Sequence, residues 1–158
     1  MASVQMKVSQ LVNKLIADEW IARHTYEFQS KVCEGASFDA VSKRLAEMAA
    51  DEGKHMDKLI TWMQSKGFSV ITNPLVMMRE ANASGRFVDF QDPVDTKVCV
   101  ERGITSERNA KNCYLIYYKA VKDKFPDLAH IFMEIANEEG EHKVELSDLL
   151  AEIDHFER

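Results

Sequence analysis

The sequence predicts an all-α protein in which four long helices form a bundle, joined by two short connections and one long crossover. Apolar residues recur at steps of three and four through four long segments. Proline and glycine are scarce, with 3 and 6 copies, which permits long uninterrupted helices. A chain of 158 residues is long enough for one domain with a substantial core. We therefore expect a single domain over residues 1–158.

The first two helices are predicted at residues 3–32 and 37–66, where apolar side chains follow one stripe. The segment CEGAS, residues 33–37, separates them. Glycine and serine in such a short segment are typical of a tight turn. Because short connections join neighbouring antiparallel helices, we expect these two helices to form a hairpin.

The last two helices are predicted at residues 93–123 and 126–156, with Pro126 at the start of the fourth. The connection before them, residues 67–92, is long, and residues 74–83 within it are predicted to form a short helix. A helix of about 28 residues is about 42 Å long. A connection of this length can return along the whole helix, which predicts a bundle with one long crossover.

Polar residues interrupt the apolar stripe of the second and fourth helices at matching places. The stripe of the second helix is Val41, Leu45, Met48, Glu52, His55, Leu59 and Trp62. The stripe of the fourth is Leu128, Phe132, Ile135, Glu139, His142, Leu146 and Leu149. Both follow alternating steps of three and four, which places every member on one buried face of a bundle helix.

The other two helices each carry one glutamate in the stripe. In the first helix it is Glu19, between Leu15 and Ala22 and seven residues before Tyr26; in the third it is Glu107, seven residues before Tyr114. The two halves form an internal repeat with offsets of 87 residues for the Glu/His motifs and 88 for the lone glutamates. A nearly constant offset across a chain indicates duplicated structural units.

Four carboxylates and two imidazoles in one core would be costly without compensating charge. Glutamate and histidine three residues apart lie on neighbouring turns of one helix face, so both can bind one ion. Two divalent ions would balance four carboxylates, and iron or manganese suits this donor set. The predicted ligands are Glu19, Glu52, His55, Glu107, Glu139 and His142. A single E-x-x-H motif is usually a solvated face, so the prediction depends on the repetition.

These motifs resemble those of the ferritin-like superfamily, in particular bacterioferritin and the helical domain of rubrerythrin. The resemblance covers essentially the whole chain. It implies that Glu52 and Glu139 bridge two iron ions, while Glu19 with His55, and Glu107 with His142, each bind one. It also implies a tyrosine beside the site, which Tyr26 matches as a hydrogen-bond donor or electron donor. The implied activity is ferroxidase oxidation of Fe(II) by O2 or H2O2, for iron storage or protection against oxidative stress.

The sequence also departs from these families. Bacterioferritin has a haem-binding methionine directly after the second helix's motif glutamate; Gly53 stands there, so we expect no haem. Rubrerythrin carries two C-x-x-C motifs, which this sequence lacks, and a further glutamate where Ala110 stands. The long connection resembles that of Dps-like proteins. Gly53 and its counterpart Gly140 are interpreted as permitting close approach of helices, at about 1 kcal/mol of helix propensity each.

Two other functions compete with the ferroxidase hypothesis. One is a rubrerythrin-like peroxide reductase or another di-metal oxidase supplied by a separate electron donor. The other is a metal-free helical interaction module. Glu101 is a rival ligand to Glu107, but only Glu107 keeps the stripe and the repeat offset. Acidic residues beside the motifs could guide iron, although a solvated face is the commoner explanation; they are Glu47, Asp51, Glu134 and Glu138.

The overall composition favours cationic partners. The formal net charge is −6, which argues against nucleic-acid binding as the main function. No apolar run approaches the roughly 20 residues of a membrane span, and the N-terminal segment lacks a signal-peptide core. Cys33, Cys99 and Cys113 are predicted to be reduced thiols in a cytoplasmic protein. We also expect a homo-oligomer, either a dimer or a cage.

Overall fold

The computed structural model describes residues 2–82 and 95–157. Within them the chain forms five helices: α1 (Ala2–Val32), α2 (Phe38–Ser65), α3 (Pro74–Glu80), α4 (Thr96–Val121) and α5 (Pro126–Phe156). The four long helices are confirmed, with bounds within three residues of those predicted. The short helix predicted in the crossover is also confirmed as α3. The predicted start of the third long helix, residues 93–94, lies outside the described residues.

The turn between α1 and α2 is fixed against the start of α4. Thr96 donates from its backbone nitrogen to the carbonyl of Glu34 at 3.0 Å and from Oγ1 to the carbonyl of Ala36 at 2.7 Å. Gly35 has a φ of 132°, and a Cβ built there would lie 2.8 Å from Oγ1 of Thr96. This turn therefore requires glycine for its backbone angle and for space.

The described residues form two compact units. The first contains residues 2–27 and 47–82, and the second contains residues 28–46 and 95–157. Helices α1 and α2 each contribute to both units, since their bounds extend across both sets of residues. The organisation as a single domain over residues 1–158 stays a prediction.

In the first unit, the connection after α2 is bound to α1. Asn13 donates to the carbonyl of Ser69 at 3.1 Å and accepts from the backbone nitrogen of Ile71 at 2.9 Å. Small and apolar side chains of α1, of α3 and of the residue directly after α3 pack together; they are Ala17, Ile21, Met77 and Ala81. Helix α1 therefore buries a broader face than the predicted stripe, while Ala22 of that stripe is only half-buried.

In the second unit, α4 and α5 form the predicted antiparallel hairpin. Lys97, near the start of α4, forms ion pairs with Asp154 at 2.7 Å and Glu157 at 3.0 Å, near the end of α5. The rings of Tyr114 and Phe132 meet edge to face with centroids 5.7 Å apart. An aromatic contact of this geometry adds to the stabilisation from burial itself.

The predicted stripes are buried along most of their length. All seven stripe residues of α2 and the first six of α5 are buried. Leu149 at the end of the α5 stripe is half-buried, which corrects the prediction at this position. None of the described helices combines the length and the apolar character that crossing a membrane would require.

Candidate metal centre

The six predicted ligands are all buried. Their exposed fractions are 3% for Glu19, 1% for Glu52, 0% for His55, 2% for Glu107, 1% for Glu139 and 4% for His142. Removing charged groups from water costs several kcal/mol per ion unless partners compensate the charge. Each of these side chains therefore needs a compensating partner, and a cation is one that carboxylates and imidazoles can share.

Three of these side chains meet in the first unit. The helical spacing of three residues places Glu52 and His55 on one face of α2. His55 Nδ1 lies 3.1 Å from Glu52 Oε2 and 3.5 Å from Glu19 Oε2, which comes from α1. One possible ligand atom from each of the three residues lies within 4.8 Å of the others. We name this group the first half-site.

The second unit contains a group of the same composition. His142 Nδ1 lies 3.3 Å from Glu139 Oε2, also three residues away on one helix. The same nitrogen lies 3.4 Å from Oε2 of Glu107, which comes from α4. One possible ligand atom from each of these residues also lies within 4.8 Å of the others. We name this group the second half-site.

The donor set of each half-site fits a divalent iron or manganese ion. Two carboxylates and one imidazole are ligands that these metals accept, and neither half-site contains the thiolates that favour softer metals. Three atoms within 4.8 Å of one another can converge on one ion, because metal–ligand distances near 2 Å place neighbouring ligands about 3 to 4 Å apart. Each half-site can therefore hold a cation with its own three residues.

The other acidic residues considered above lie outside this geometry. Glu101, the rival ligand on α4, is exposed, as are Glu47 and Glu134. Asp51 is half-buried and forms an ion pair with Lys54 at 2.7 Å. The remaining histidines, His24, His130 and His155, are exposed, as expected from their positions off the stripes.

Tyr26 is buried in the first unit and is 2% exposed. It lies seven residues after Glu19, two helical turns along the same face of α1. Tyr114 has the corresponding position after Glu107 in α4 and is 1% exposed. Each half-site is thus followed by a buried tyrosine on the helix that supplies its lone glutamate.

Two of the three cysteines are buried next to each other. Cys33 and Cys99 are buried, their thiols are joined by a hydrogen bond, and all three cysteines are free. Burial raises the pKa of Cys33 and raises that of Cys99 to about 12, which disfavours the reactive thiolate.

Two cationic residues near the motifs were missed in the sequence. The interpretation of Gly53 and Gly140 as points of close helix approach stays a prediction, and the atoms nearest to each glycine's missing Cβ belong to a side chain of another helix. These side chains are Arg23 over Gly53 and Lys111 over Gly140. The repeat offered a signal, since each cation stands four residues after a lone glutamate, with the same offset of 88 residues.

Comparison with solved structures places the fold among the ferritin-like bundles. A dodecameric thioferritin from Bacteroides fragilis, a bacterioferritin-related protein, superposes with a TM-score of 0.89 and 22% identity, covering 96% of this chain and 89% of that one. Dps from Staphylococcus aureus has a TM-score of 0.83 and 12% identity over 92% and 96% of the chains. Dps from Thermosynechococcus elongatus has a TM-score of 0.84 and 11% identity over 94% and 92%. At these identities the likeness concerns the fold.

A search of curated proteins with the sequence found no match. The family model of the ferritin-like domain, in contrast, matches residues 9–156. This range contains all five helices except the first residues of α1, and it contains both half-sites. The all-α fold with a long crossover and the match along nearly the whole chain agree, and the chain therefore belongs to the ferritin-like domain family.

Proposed function

We propose that the two half-sites together form one dinuclear iron site, and that the protein oxidises Fe(II) there as its substrate. The observation that carries this proposal is the pair of buried Glu/Glu/His groups, one in each unit, with nearly equal distances from histidine to carboxylates. The repeated motifs and the family membership add support. A single ligand group would fit a simple structural metal equally well; two matched groups favour a reaction that uses two ions.

The charges of the donor set suit a two-electron oxidation. Four carboxylates carry about four negative charges, which two Fe²⁺ ions neutralise. Carboxylate oxygens are hard anionic ligands, so they bind the more highly charged Fe³⁺ more strongly than Fe²⁺ and favour oxidation. Two Fe²⁺ ions give up two electrons, which reduce one O2 with two protons to H2O2, or one H2O2 with two protons to two water molecules.

The roles of the residues follow from their places in the half-sites. By the family resemblance, Glu52 and Glu139 would bridge the two iron ions. Glu19 with His55 binds one ion, and Glu107 with His142 binds the other. Tyr26 hydrogen-bonds a carboxylate or supplies an electron, a role that suits a buried phenol two turns from Glu19. Gly53 stands at the position of the haem ligand of bacterioferritin, so no haem takes part.

We also propose that copies of the chain assemble into a cage that stores iron or protects against oxidative stress. The thioferritin from Bacteroides fragilis is dodecameric, and its likeness to this chain favours a closed oligomer over a monomer. The three free cysteines suit a reducing compartment, so we place the protein in the cytoplasm. Size-exclusion chromatography with light scattering distinguishes a cage from a dimer.

Aerobic addition of Fe²⁺ to the purified protein tests the function. We expect the parent to oxidise excess Fe²⁺ and accumulate ferric mineral, followed by absorbance. The variant with Glu52→Ala and Glu139→Ala should lose this activity, because each half-site loses a ligand. A matched control replaces Glu47 and Glu134, exposed glutamates five residues earlier on the same helices, and should behave as the parent.

Other outcomes would point to the competing functions. If the parent binds iron but cycles only with H2O2 and an added reductant, it is a peroxide reductase. If neither iron nor manganese binds, a helical interaction module remains. Equal oxidation by the parent and the Glu52/Glu139 double variant would show that the site is assigned to the wrong residues.

A further inference from the structure

A positively charged side chain lies over the glycine of each E-G-x-H motif. A Cβ built on Gly53 would lie 3.2 Å from Nη1 of Arg23 and 3.7 Å from its Cδ. A Cβ built on Gly140 would lie 3.0 Å from Nζ of Lys111 and 3.5 Å from its Cδ. The two nitrogen distances are tighter than most contacts of a Cβ, so any larger residue would require the nitrogen to move by a few tenths of an ångström.

The two cations occupy equivalent positions in the two half-sites. Arg23 follows Glu19 by four residues on α1, and Lys111 follows Glu107 by four residues on α4. Residues four apart are neighbours on one helix face. Each cation therefore lies one turn from the glutamate of its own helix. It also lies against the residue that directly follows the glutamate of the neighbouring helix.

Charge is the property that the two positions share. Arginine has a planar guanidinium and lysine a compact ammonium, so their shapes and hydrogen-bonding geometries differ. A long side chain can cover a glycine simply by packing its aliphatic part. If packing were the only role, the end of the side chain would not need to be charged. In both half-sites, however, the atom nearest to the missing Cβ is a charged nitrogen.

We propose that Arg23 and Lys111 are counter-cations that set the affinity of the metal centre. This inference rests on the proposed function. Without metal, each cation offsets part of the negative charge of the nearby carboxylates. With metal, it repels the bound ion, so binding is weaker than the carboxylates alone would give. Repulsion grows with the charge of the ion, which opposes retention of Fe³⁺ and helps the oxidised product to leave. Neither residue belongs to the groups that could hold the ions, so both act on them through charge alone.

Calorimetric titration with Mn²⁺, which does not oxidise on binding, tests this inference. Arg23→Gln and Lys111→Gln should each tighten binding, by up to about tenfold, because a positive charge beside the motif is removed. The gain should be smaller for Arg23, which is exposed, than for Lys111, which is half-buried, because solvent screens an exposed charge. Without metal, both variants should melt below the parent. The increase in affinity should shrink at about 1 M salt, where charges are strongly screened. Damage to the fold would weaken metal binding, whereas loss of repulsion strengthens it. The direction of the change in affinity therefore distinguishes the two explanations.

Two sets of controls make the result specific. Lys31→Gln and Lys119→Gln remove exposed cations eight residues further along the same helices and should leave the affinity unchanged. Arg23→Lys and Lys111→Arg keep the charge and should stay within about twofold of the parent. Equal or weaker Mn²⁺ binding by the glutamine variants than by the parent would overturn the counter-cation role. It would leave the proposed metal centre unaffected, provided that the parent binds Mn²⁺. No binding by the parent would overturn the metal centre itself.

Discussion

Replacing the first half-site by leucine should make the metal-free protein more stable. The change is Glu19→Leu, Glu52→Leu and His55→Leu, which completes the apolar stripes of α1 and α2. All three side chains are at most 3% exposed. Exchanging a buried ionic group for well-packed apolar residues is often neutral or stabilises a protein by about 1–4 kcal/mol. Leucine is slightly larger than the residues it replaces, and overpacking costs about 1 kcal/mol.

The net effect is a gain of about 2 kcal/mol, estimated from these two contributions. A protein of this size gains about 2–4 °C per kcal/mol, so the melting temperature in a chelator should rise by about 4–8 °C. Differential scanning calorimetry measures this directly. Adding Mn²⁺ should reverse the order, since a ligand at 100 times its dissociation constant stabilises the parent by about 2.7 kcal/mol.

A surface pair of the same chemistry provides the control. His130 Nε2 lies 3.4 Å from Glu134 Oε1 on α5, and both side chains are exposed. His130→Leu with Glu134→Leu should change stability by no more than about 0.5 kcal/mol. The reasoning is refuted if the half-site variant melts below the parent in chelator, since the buried group would then stabilise the fold without metal.

Two further predictions concern the cysteines and the first turn. Burial raises the pKa of Cys99 to about 12, so alkylation of the native protein should modify half-exposed Cys113 and spare Cys33 and Cys99. Peptide mass spectrometry measures which cysteines are modified. Rapid reaction of all three cysteines would contradict the buried thiol pair. The free energy of unfolding should also fall between pH 9 and about 12, since the thiol of Cys99 ionises more readily in the unfolded chain. Gly35→Ala should lose about 3 kcal/mol in denaturant unfolding, because its φ of 132° and its contact with Thr96 are both unfavourable for a Cβ. Gly67→Ala, with a φ of 71° and open space, should lose only about 1 kcal/mol; equal losses would refute the steric argument.

The helices and the buried polar residues were predictable because one pattern determined both. Apolar spacing in a bundle helix is strict, so Glu52 and His55 could be placed on the buried face before any coordinates were known. The repeat offset likewise favoured Glu107 over its rival Glu101 as the residue of α4 on the buried face. Pro126 fixed the start of α5 at the residue where the structure has it.

Other features depend on contacts between distant parts of the sequence. The broad buried face of α1 arises because the connection after α2 packs on it through residues such as Met77, and no local pattern predicts that partner. The cations over Gly53 and Gly140 were overlooked for a different reason. Arginine and lysine on a helix are usually solvated, so only the three-dimensional contact distinguishes Arg23 from other surface cations.

The most direct test of the central claim is the stoichiometry of metal binding. Anaerobic titration with Fe²⁺ should reach a break at two ions per chain, because each half-site supplies three ligands. The Glu52→Ala, Glu139→Ala variant should lose this saturable binding, while the Glu47→Ala, Glu134→Ala control should keep it. A break at one ion, no saturable binding, or equal binding by the Glu52/Glu139 variant would contradict a dinuclear centre built from these residues.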